Sequence, residues 1–347
     1  MKIFIIGIIC ILIILFSFLA FSYPGANRVI IDYNSNVYLT SYNNDKEWNR
    51  ITIITSYDNI NREIAWDYTI SDSKNCALDS LSLDPTGKKV VYISACMLNS
   101  LNPSGGVPKD FYRLTILDIK NKKEIVSFKH GFYYSFSPNG NEIAFAERVA
   151  GEEGTLPPHD YQGGAWFYNF NSKSKRHIDT GTVGVMDINW SSHDSNIYVT
   201  NNAEVYCYNP RTGKGKIVPY HGIYFSPDGK YYVQTGDEGG AWLYRTSDNK
   251  EMTDWEKLIR REAENYPNAS FDFICWSHKL NMAIFSAGED KVVIFDPGKA
   301  KIAGSFRSGL IGFNADGTKA AVHPLASDRR PQTDKVEILN LLDLIKK

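Results

Sequence analysis

Six segments of the chain share one pattern, in which an apolar strand, a polar turn and a second apolar strand follow each other. In most of them, two large apolar residues stand two positions apart before a turn built from Pro, Asp, Asn and Gly, as in Leu81/Leu83, Ile188/Trp190, Ile223/Phe225, Ile274/Trp276 and Ile311/Phe313. That period is typical of a strand with one face on a core. The pattern predicts six β-hairpins, in LSLDPTGKKVVY (81–92), YSFSPNGNEIAF (134–145), INWSSHDSNIYV (188–199), IYFSPDGKYYVQ (223–234), ICWSHKLNMAIF (274–285) and IGFNADGTKAAV (311–322).

The spacing of these hairpins indicates a repeat. Their turns are centred on residues 85, 138, 192, 227, 278 and 315, which lie on average 46 residues apart. A second hairpin follows the first in most units, and a period in the 40s with four strands per unit is typical of a propeller blade. Residues 28–70 add one more four-strand unit without the turn signal. We therefore predict an all-β fold, a β-propeller of seven four-stranded blades.

Six or eight blades remain alternatives to seven at this point. The last unit is one strand short after KVEILNLL (335–342), so closure of the ring could borrow a strand from the N-terminal segment. A closed ring has no exposed sheet edge between its first and last units.

Two hexapeptides are nearly identical, GGAWFY at 163–168 and GGAWLY at 239–244. Each begins the third strand of a unit, and a longer loop before Gly163 accounts for their different distances from the preceding turn. The two hexapeptides therefore indicate equivalent blade positions and not a ligand-binding motif.

The turns Ser137-Pro138-Asn139-Gly140 and Ser226-Pro227-Asp228-Gly229 resemble the SPDG turns of TolB-like and WD-repeat-like bacterial propellers. The resemblance covers about residues 28–345 and implies a fold rather than an activity. Members of the group often serve as interaction platforms. The chain departs from eukaryotic WD repeats, because it lacks their Gly-His dipeptide and has Phe295-Asp296 at the Trp-Asp position.

One stretch has helical instead of β periodicity. Thr253 to Glu256 fits a capping box, and apolar residues then recur at helical spacing until Pro267. We expect a helical insertion at about 253–266 whose apolar stripe packs on the propeller rim, with docking of a partner as the alternative.

The N-terminus predicts export. Residues Ile3 to Phe21 form a 19-residue apolar run after Lys2, which is long enough to span a bilayer as a hydrophobic helix. Lys2 on the near side places the rest of the chain outside the cytoplasm. Residues 1–22 are thus expected to be a signal anchor, or a signal peptide cleaved after Ser22, and residues 23–347 a β-propeller domain.

Composition and motifs limit the partners and the kinds of site that we expect. The net charge of −1 gives no surface for a polyanion, so we expect no nucleic-acid partner. The chain has no G-x-S-x-G motif, and its seven histidines do not fall at zinc-site spacing, which predicts no catalytic residues, no metal and no cofactor. A propeller lactonase, lyase or quinoprotein-like enzyme with a site at the channel mouth is the alternative.

Cysteine positions indicate one disulfide. The hairpin turning at 84–87 brings Cys76 within one residue of directly opposite Cys96, and an exported protein favours the bridge. Cys207 and Cys275 fall in strands of different units and are expected to be buried thiols.

Three long loops suggest where function lies. Residues 98–110, 149–162 and 323–334 join second to third strands, whereas the corresponding loop of the fifth unit is only about Gly236 to Gly240. Long loops on a rigid scaffold are frequent binding sites. We expect a non-enzymatic interaction module that binds a protein or other macromolecule through one face, and the candidate contact residues are Glu152, Glu153, His159, Asp160, Arg329 and Arg330.

Overall fold

The computed structural model of the protein describes most of the repeat region. It covers residues 29–31, 37–41, 50–57, 62–69, 76–96, 112–147, 165–178, 185–201, 204–236, 240–262, 271–288, 290–308, 311–314, 316–323, 325–327 and 337–345. For the strands before residue 82, and for residues 95, 96, 262 and 311, only the backbone is described. The predicted segment 1–22 lies outside these ranges. None of the helices that the structure describes is long and apolar enough to cross a bilayer.

In these ranges consecutive strands pair antiparallel within seven sheets, which we call blades one to seven in chain order. Blade one holds β1 (Val29–Ile31), β2 (Val37–Ser41), β3 (Arg50–Tyr57) and β4 (Arg62–Thr69). Blade two holds β5 (Cys76–Leu83), β6 (Lys89–Cys96), β7 (Tyr112–Asp118) and β8 (Lys123–Lys129). Blade three holds β9 (Gly131–Phe136), β10 (Glu142–Glu147), β11 (Ala165–Asn169) and β12 (Ser174–Ile178). Blade four holds β13 (Asp187–Trp190), β14 (Ile197–Thr200), β15 (Val205–Asn209) and β16 (Lys214–Val218).

The remaining blades contain both described helices. Blade five holds β17 (Tyr224–Phe225), β18 (Tyr231–Thr235), β19 (Ala241–Arg245) and β20 (Lys250–Glu251), and helix α1 (Trp255–Glu262) follows it. Blade six holds β21 (Phe273–Ser277), β22 (Met282–Ala287), β23 (Lys291–Asp296) and β24 (Lys301–Arg307). Blade seven holds β25 (Ile311–Phe313), β26 (Lys319–Val322) and β27 (Glu337–Asn340), and helix α2 (Leu341–Leu344) ends the described chain.

The prediction of seven four-stranded blades is wrong, because the described residues form six four-stranded blades and a last sheet of only three strands. After β27 the Asn340 side chain accepts a hydrogen bond from the Leu342 backbone N–H and starts α2. Leu341 is fully buried, and the Leu344 backbone comes so close to Gly304 of β24 that a Cβ there would lie 2.5 Å from it. The chain end therefore packs on blade six instead of adding a fourth strand.

First strands meet around the centre of the ring. β9 lies beside β13, and β1 lies beside both β25 and β5, so the first and last blades are neighbours. The expectation that closure borrows a strand is wrong for the described residues, because β1 pairs with β2 of its own blade.

The core lies between adjacent blades, where buried side chains of one sheet pack on those of the next. Hydrogen bonds reinforce these contacts. Trp190 N–H donates to Ser135 Oγ (2.8 Å) between blades three and four, and Trp276 Nε1 donates to the Tyr224 carbonyl (2.8 Å) between blades five and six. Such burial of apolar surface provides most of the stability of the ring.

The Ser-Pro-x-Gly turns are built alike. Ser226 Oγ donates to Asp228 Oδ1 (2.8 Å) and accepts from the Tyr231 N–H (3.0 Å), and Ser137 repeats this arrangement in blade three. Gly229 has φ +69°, and a Cβ there would lie 2.3 Å from the His193 ring of blade four. The left-handed backbone thus favours glycine, and the missing side chain leaves room for the His193 ring of the adjacent blade.

Most of the sequence pattern is confirmed, with one exception. Ile188, Trp190, Ile223 and Phe225 are buried, and both hexapeptides contribute third strands, β11 and β19. Ile274, predicted to face the core, is 37% exposed. The reason is a register shift between Phe273 and Cys275, which turns the intervening residue away from the core.

Helix α1 confirms the predicted insertion, although it begins at Trp255 and its described part ends at Glu262. Trp255 and Ile259 are buried against Phe271, Phe285 and other residues of blades five and six. The apolar stripe of the helix therefore packs on the propeller, as expected.

Candidate functional site

A cavity of about 450 Å³ opens between blades four and five. Its walls come from the start of β13, the connection from β14 to β15, the linker between the two blades, and the connection from β18 to β19. Connections between second and third strands and linkers between blades lie at the same end of a propeller. We call this end the cavity face.

The linker that forms one wall is held tightly against blade five. A Cβ on Gly222 would lie 2.3 Å from the Val233 carbonyl oxygen, so the backbone passes directly over β18. The Tyr220 ring packs on Phe225 and Tyr232, with centroids 5.3 Å away in each case. This wall is thus fixed before any ligand arrives.

A carboxyl group and a phenol meet inside the cavity. Asp187 Oδ1 accepts a hydrogen bond from the Ile188 backbone N–H (2.8 Å), and Asp187 Oδ2 accepts one from the Tyr224 hydroxyl. Burial raises the pKa of the Asp187 carboxyl to about 6, although both hydrogen bonds act in the opposite direction. The group is therefore mostly ionised at neutral pH and carries a charge in a poorly solvated place.

The opposite walls are polar and aromatic. Glu204 is exposed, and its backbone N–H donates to Asn201 Oδ1 (2.7 Å), which shapes the short connection between β14 and β15. Trp242, from the second hexapeptide, is 39% exposed at the cavity. A concave surface with an aromatic wall and a few polar groups is typical of binding sites.

A second cavity, of about 320 Å³, lies in the central channel among the first strands of blades four to seven. Ser192 Oγ lies 3.3 Å from His278 Nδ1 at its edge, and burial raises the pKa of the Cys275 thiol to about 12. Cys275 and Cys207 are both unpaired and partly buried, in agreement with the prediction of buried thiols. His193 and His278 are exposed at turns.

The predicted contact residues Glu152, Glu153, His159, Asp160, Arg329 and Arg330 all lie outside the described residues. The segments that contain them follow β10 and β26, and the ends of these two strands lie at the cavity face. The short loop predicted near Gly236 to Gly240 is confirmed between β18 and β19.

Sequence reasoning missed the residues that form the cavity. Trp242 carried a signal, its place in a repeated hexapeptide, but Asp187 and Glu204 carried none. Among the residues that the structure describes, no group of three or more His, Cys, Asp and Glu side chains could hold a metal ion. The backbones of Cys76 and Cys96 are directly opposite in β5 and β6, whereas their side chains are not described.

Sequence comparisons identify no family, since no family model and no curated protein match the chain. Solved structures do match, and 1067 chains align with this one. A chain of the mitotic checkpoint complex crystal structure aligns with a TM-score of 0.53 at 9% identity and covers 90% of both chains. Hydrazine synthase of Kuenenia stuttgartiensis aligns with a TM-score of 0.56 at 11% identity, over 92% of this chain and 96% of that one. The chain is therefore a WD40-like β-propeller, and such low identities show the fold alone.

Proposed function

We propose that this propeller is a non-enzymatic interaction module that binds a protein partner through its cavity face. The observation that carries the proposal is the cavity between blades four and five, at the end of the ring where the long β6–β7, β10–β11 and β26–β27 connections begin and end. A preformed concavity and long loops at one end of a rigid ring are the usual elements of a recognition surface.

The opposite end of the ring offers a poorer surface. Its turns are short hairpins such as Ser226 to Gly229, whose side chains are used in hydrogen bonds within the turn. The turn glycines pack against the neighbouring blade, as Gly140 does against Asp84. Since these groups are already engaged within the protein, the cavity face is the better candidate for a partner.

We further infer that the protein is a TolB-like bacterial propeller that works outside the cytoplasm, held by residues 1–22 or secreted after their removal. The Ser-Pro-x-Gly turns support the first inference and the apolar run Ile3 to Phe21 supports the second. Protease added to spheroplasts should digest the propeller, and a resistant product would contradict this location.

The partner-binding proposal is tested by shortening one long connection. Replacing residues 150–161 by a short Gly-Asn linker should leave the circular dichroism spectrum and melting temperature nearly unchanged and abolish cross-linked recovery of the native partner. A matched control is Ile217→Ala, which removes a 54% exposed side chain from the outer strand β16. Partner recovery that survives the loop replacement but is lost in Ile217→Ala would contradict the proposal.

A further inference from the structure

Blade three contains a cation site made entirely from its own residues. The Lys175 ammonium lies 3.9 Å from the centroid of the Trp166 indole, and it pairs with the Glu147 carboxylate. A cation over an indole is attracted by the negative face of the ring, and tryptophan is the best aromatic partner for it. Lys175 comes from β12, the outer strand of the same blade.

Trp242 is the equivalent residue of blade five. Trp166 is the second residue of β11 and lies opposite Phe145 of β10, and Trp242 is the second residue of β19 and lies opposite Gln234 of β18. The two indoles differ in what covers them. Within the described part of the chain, no Lys or Arg lies over Trp242, whose side chain is 39% exposed.

The outer strands explain this difference. In blade three, Lys175 of β12 lies opposite Tyr168, two residues after Trp166. In blade five, the residue of β20 opposite Tyr244, and so in the place of Lys175, is Glu251. Blade five therefore provides the aromatic half of a cation site, has a carboxylate at the Lys175 position and leaves the position over the indole open.

The charges around the open position have the sign that a cation requires. Asp187 and Glu204 contribute two carboxyl groups to the cavity walls, and no Lys or Arg is among the described residues of those walls. Tyr224, hydrogen-bonded to Asp187, is a neutral neighbour, and His221 is the basic residue closest in the linker. An anionic ligand in the cavity would be repelled by these two negative charges, and a cation would be attracted by them.

We propose that the cavity binds a Lys or Arg side chain within a basic peptide segment of the partner. The inference deepens the proposed function and rests on it. The cavity volume of about 450 Å³ is in the lower range of ligand sites, which suits a side chain with its flanking backbone. The partner's cation takes the place over Trp242 that Lys175 has over Trp166, with Glu204 and Asp187 as counter-charges.

The test uses capped tripeptides as probes, Gly-Lys-Gly, Gly-Arg-Gly, Gly-Leu-Gly and Gly-Glu-Gly, titrated into the full chain by calorimetry at low ionic strength. The two basic peptides should bind, and the other two should not. Trp242→Ala should weaken binding of the basic peptides by about tenfold, which is in the range expected for a partly desolvated cation–π contact. Glu204→Gln should weaken it by about two- to fivefold, because it removes one screened charge.

Controls separate the site from general effects. Ile217→Ala, an exposed apolar residue on the outer strand of blade four, should bind the basic peptides as the natural protein does. Melting curves of each variant establish that the fold is intact. Equal binding of Gly-Leu-Gly, or unchanged binding by Trp242→Ala, would overturn the cation site. Free arginine binding as tightly as Gly-Arg-Gly would also overturn it, since the ligand would then be a small molecule and not a peptide.

Failure of this inference differs from failure of the proposed function. If the partner is captured at the cavity face but no basic peptide binds, the cation site is wrong and the interaction module stands. If basic peptides bind at Trp242 but the partner is captured only at the opposite face, the site is real and the proposed recognition surface is wrong.

Discussion

The Tyr224 hydroxyl donates a hydrogen bond to the Asp187 carboxylate, and this bond joins the first strands of blades four and five inside the cavity. The two residues are 37 positions apart in the chain, and stacking of adjacent blades brings them together. The pair has a measurable consequence, because burial makes ionisation of this carboxyl unfavourable.

Asp187 should make stability fall as pH rises. Its pKa is about 6 in the folded protein, against 3.8 for an ordinary solvent-exposed aspartate, so between pH 4 and 6 the folded state holds the proton more strongly than the unfolded chain. The stabilising contribution is therefore present at pH 4 and lost by pH 7, on the order of 2 kcal/mol. Denaturant unfolding should be measured at pH 4 and at pH 7 for both proteins. The unfolding free energy of the natural protein minus that of Asp187→Asn should fall by this amount between the two pH values.

An exposed carboxyl provides the control for that measurement. Lys257 lowers the pKa of Asp254, so Asp254→Asn should not reproduce the fall in relative stability with rising pH. The same pH profile for both variants would mean that burial of Asp187 is not the cause.

The turn glycine of blade five should be required by its neighbour as well as by its backbone. Gly229→Ala places a Cβ at 2.3 Å from the His193 ring at φ +69°, and Gly213→Ala has a similar φ of +70° with its nearest contact at 3.9 Å. We expect Gly213→Ala to cost about 1 kcal/mol, and Gly229→Ala to cost more by the free energy of displacing the exposed His193 ring. Thermal unfolding measures both, and adding His193→Ala should restore part of the loss only in Gly229→Ala.

Trp255 should be the main anchor of helix α1. It is 3% exposed and its ring lies 5.4 Å from Phe271 and 4.9 Å from Phe285. Trp255→Ala should therefore cost about 3–5 kcal/mol, whereas Trp242→Ala, a change in a partly exposed side chain, should cost about 1 kcal/mol or less. Equal losses in urea unfolding would show that the helix does not depend on this contact.

Cys76 and Cys96 should form a disulfide under oxidising conditions. They are directly opposite in the β5–β6 register, which is within the reach of a cross-strand bridge. Peptide mapping without reduction should recover them linked, and the Cys76→Ser/Cys96→Ser variant should lose about 2–4 kcal/mol. Recovery of both as alkylated free thiols would contradict this prediction.

The fold could be predicted from the sequence wherever a local sequence pattern was repeated along the chain. The Ser-Pro-x-Gly turns and the pairs of alternating apolar residues marked the hairpins because turn geometry and strand periodicity are local. The end of blade seven, where helix α2 follows β27, could not be predicted in this way. Apolar residues continue from β27 through Leu341 and Leu342, and a short apolar run does not distinguish a strand from the helical turn that Asn340 caps.

The candidate site was harder to predict, because it depends on residues from adjacent blades. Asp187 is a single acidic residue at the start of β13, and only the stacking of blades places Tyr224 against it. Trp242 was recognised as a repeat position, but its exposure follows from the two-residue length of β20, which the sequence did not indicate. The bulge that exposes Ile274 is another irregularity without a sequence signal.

Site-specific photo-cross-linking in the native host tests most directly whether the cavity face binds the partner. A cross-linking residue at Glu204 reports on the cavity face, and one at Lys230, an exposed side chain in the turn between β17 and β18, reports on the opposite end of the ring. We predict a partner adduct from position 204, weakened by Trp242→Ala, and none from position 230. An adduct from position 230 with none from position 204 would contradict the account.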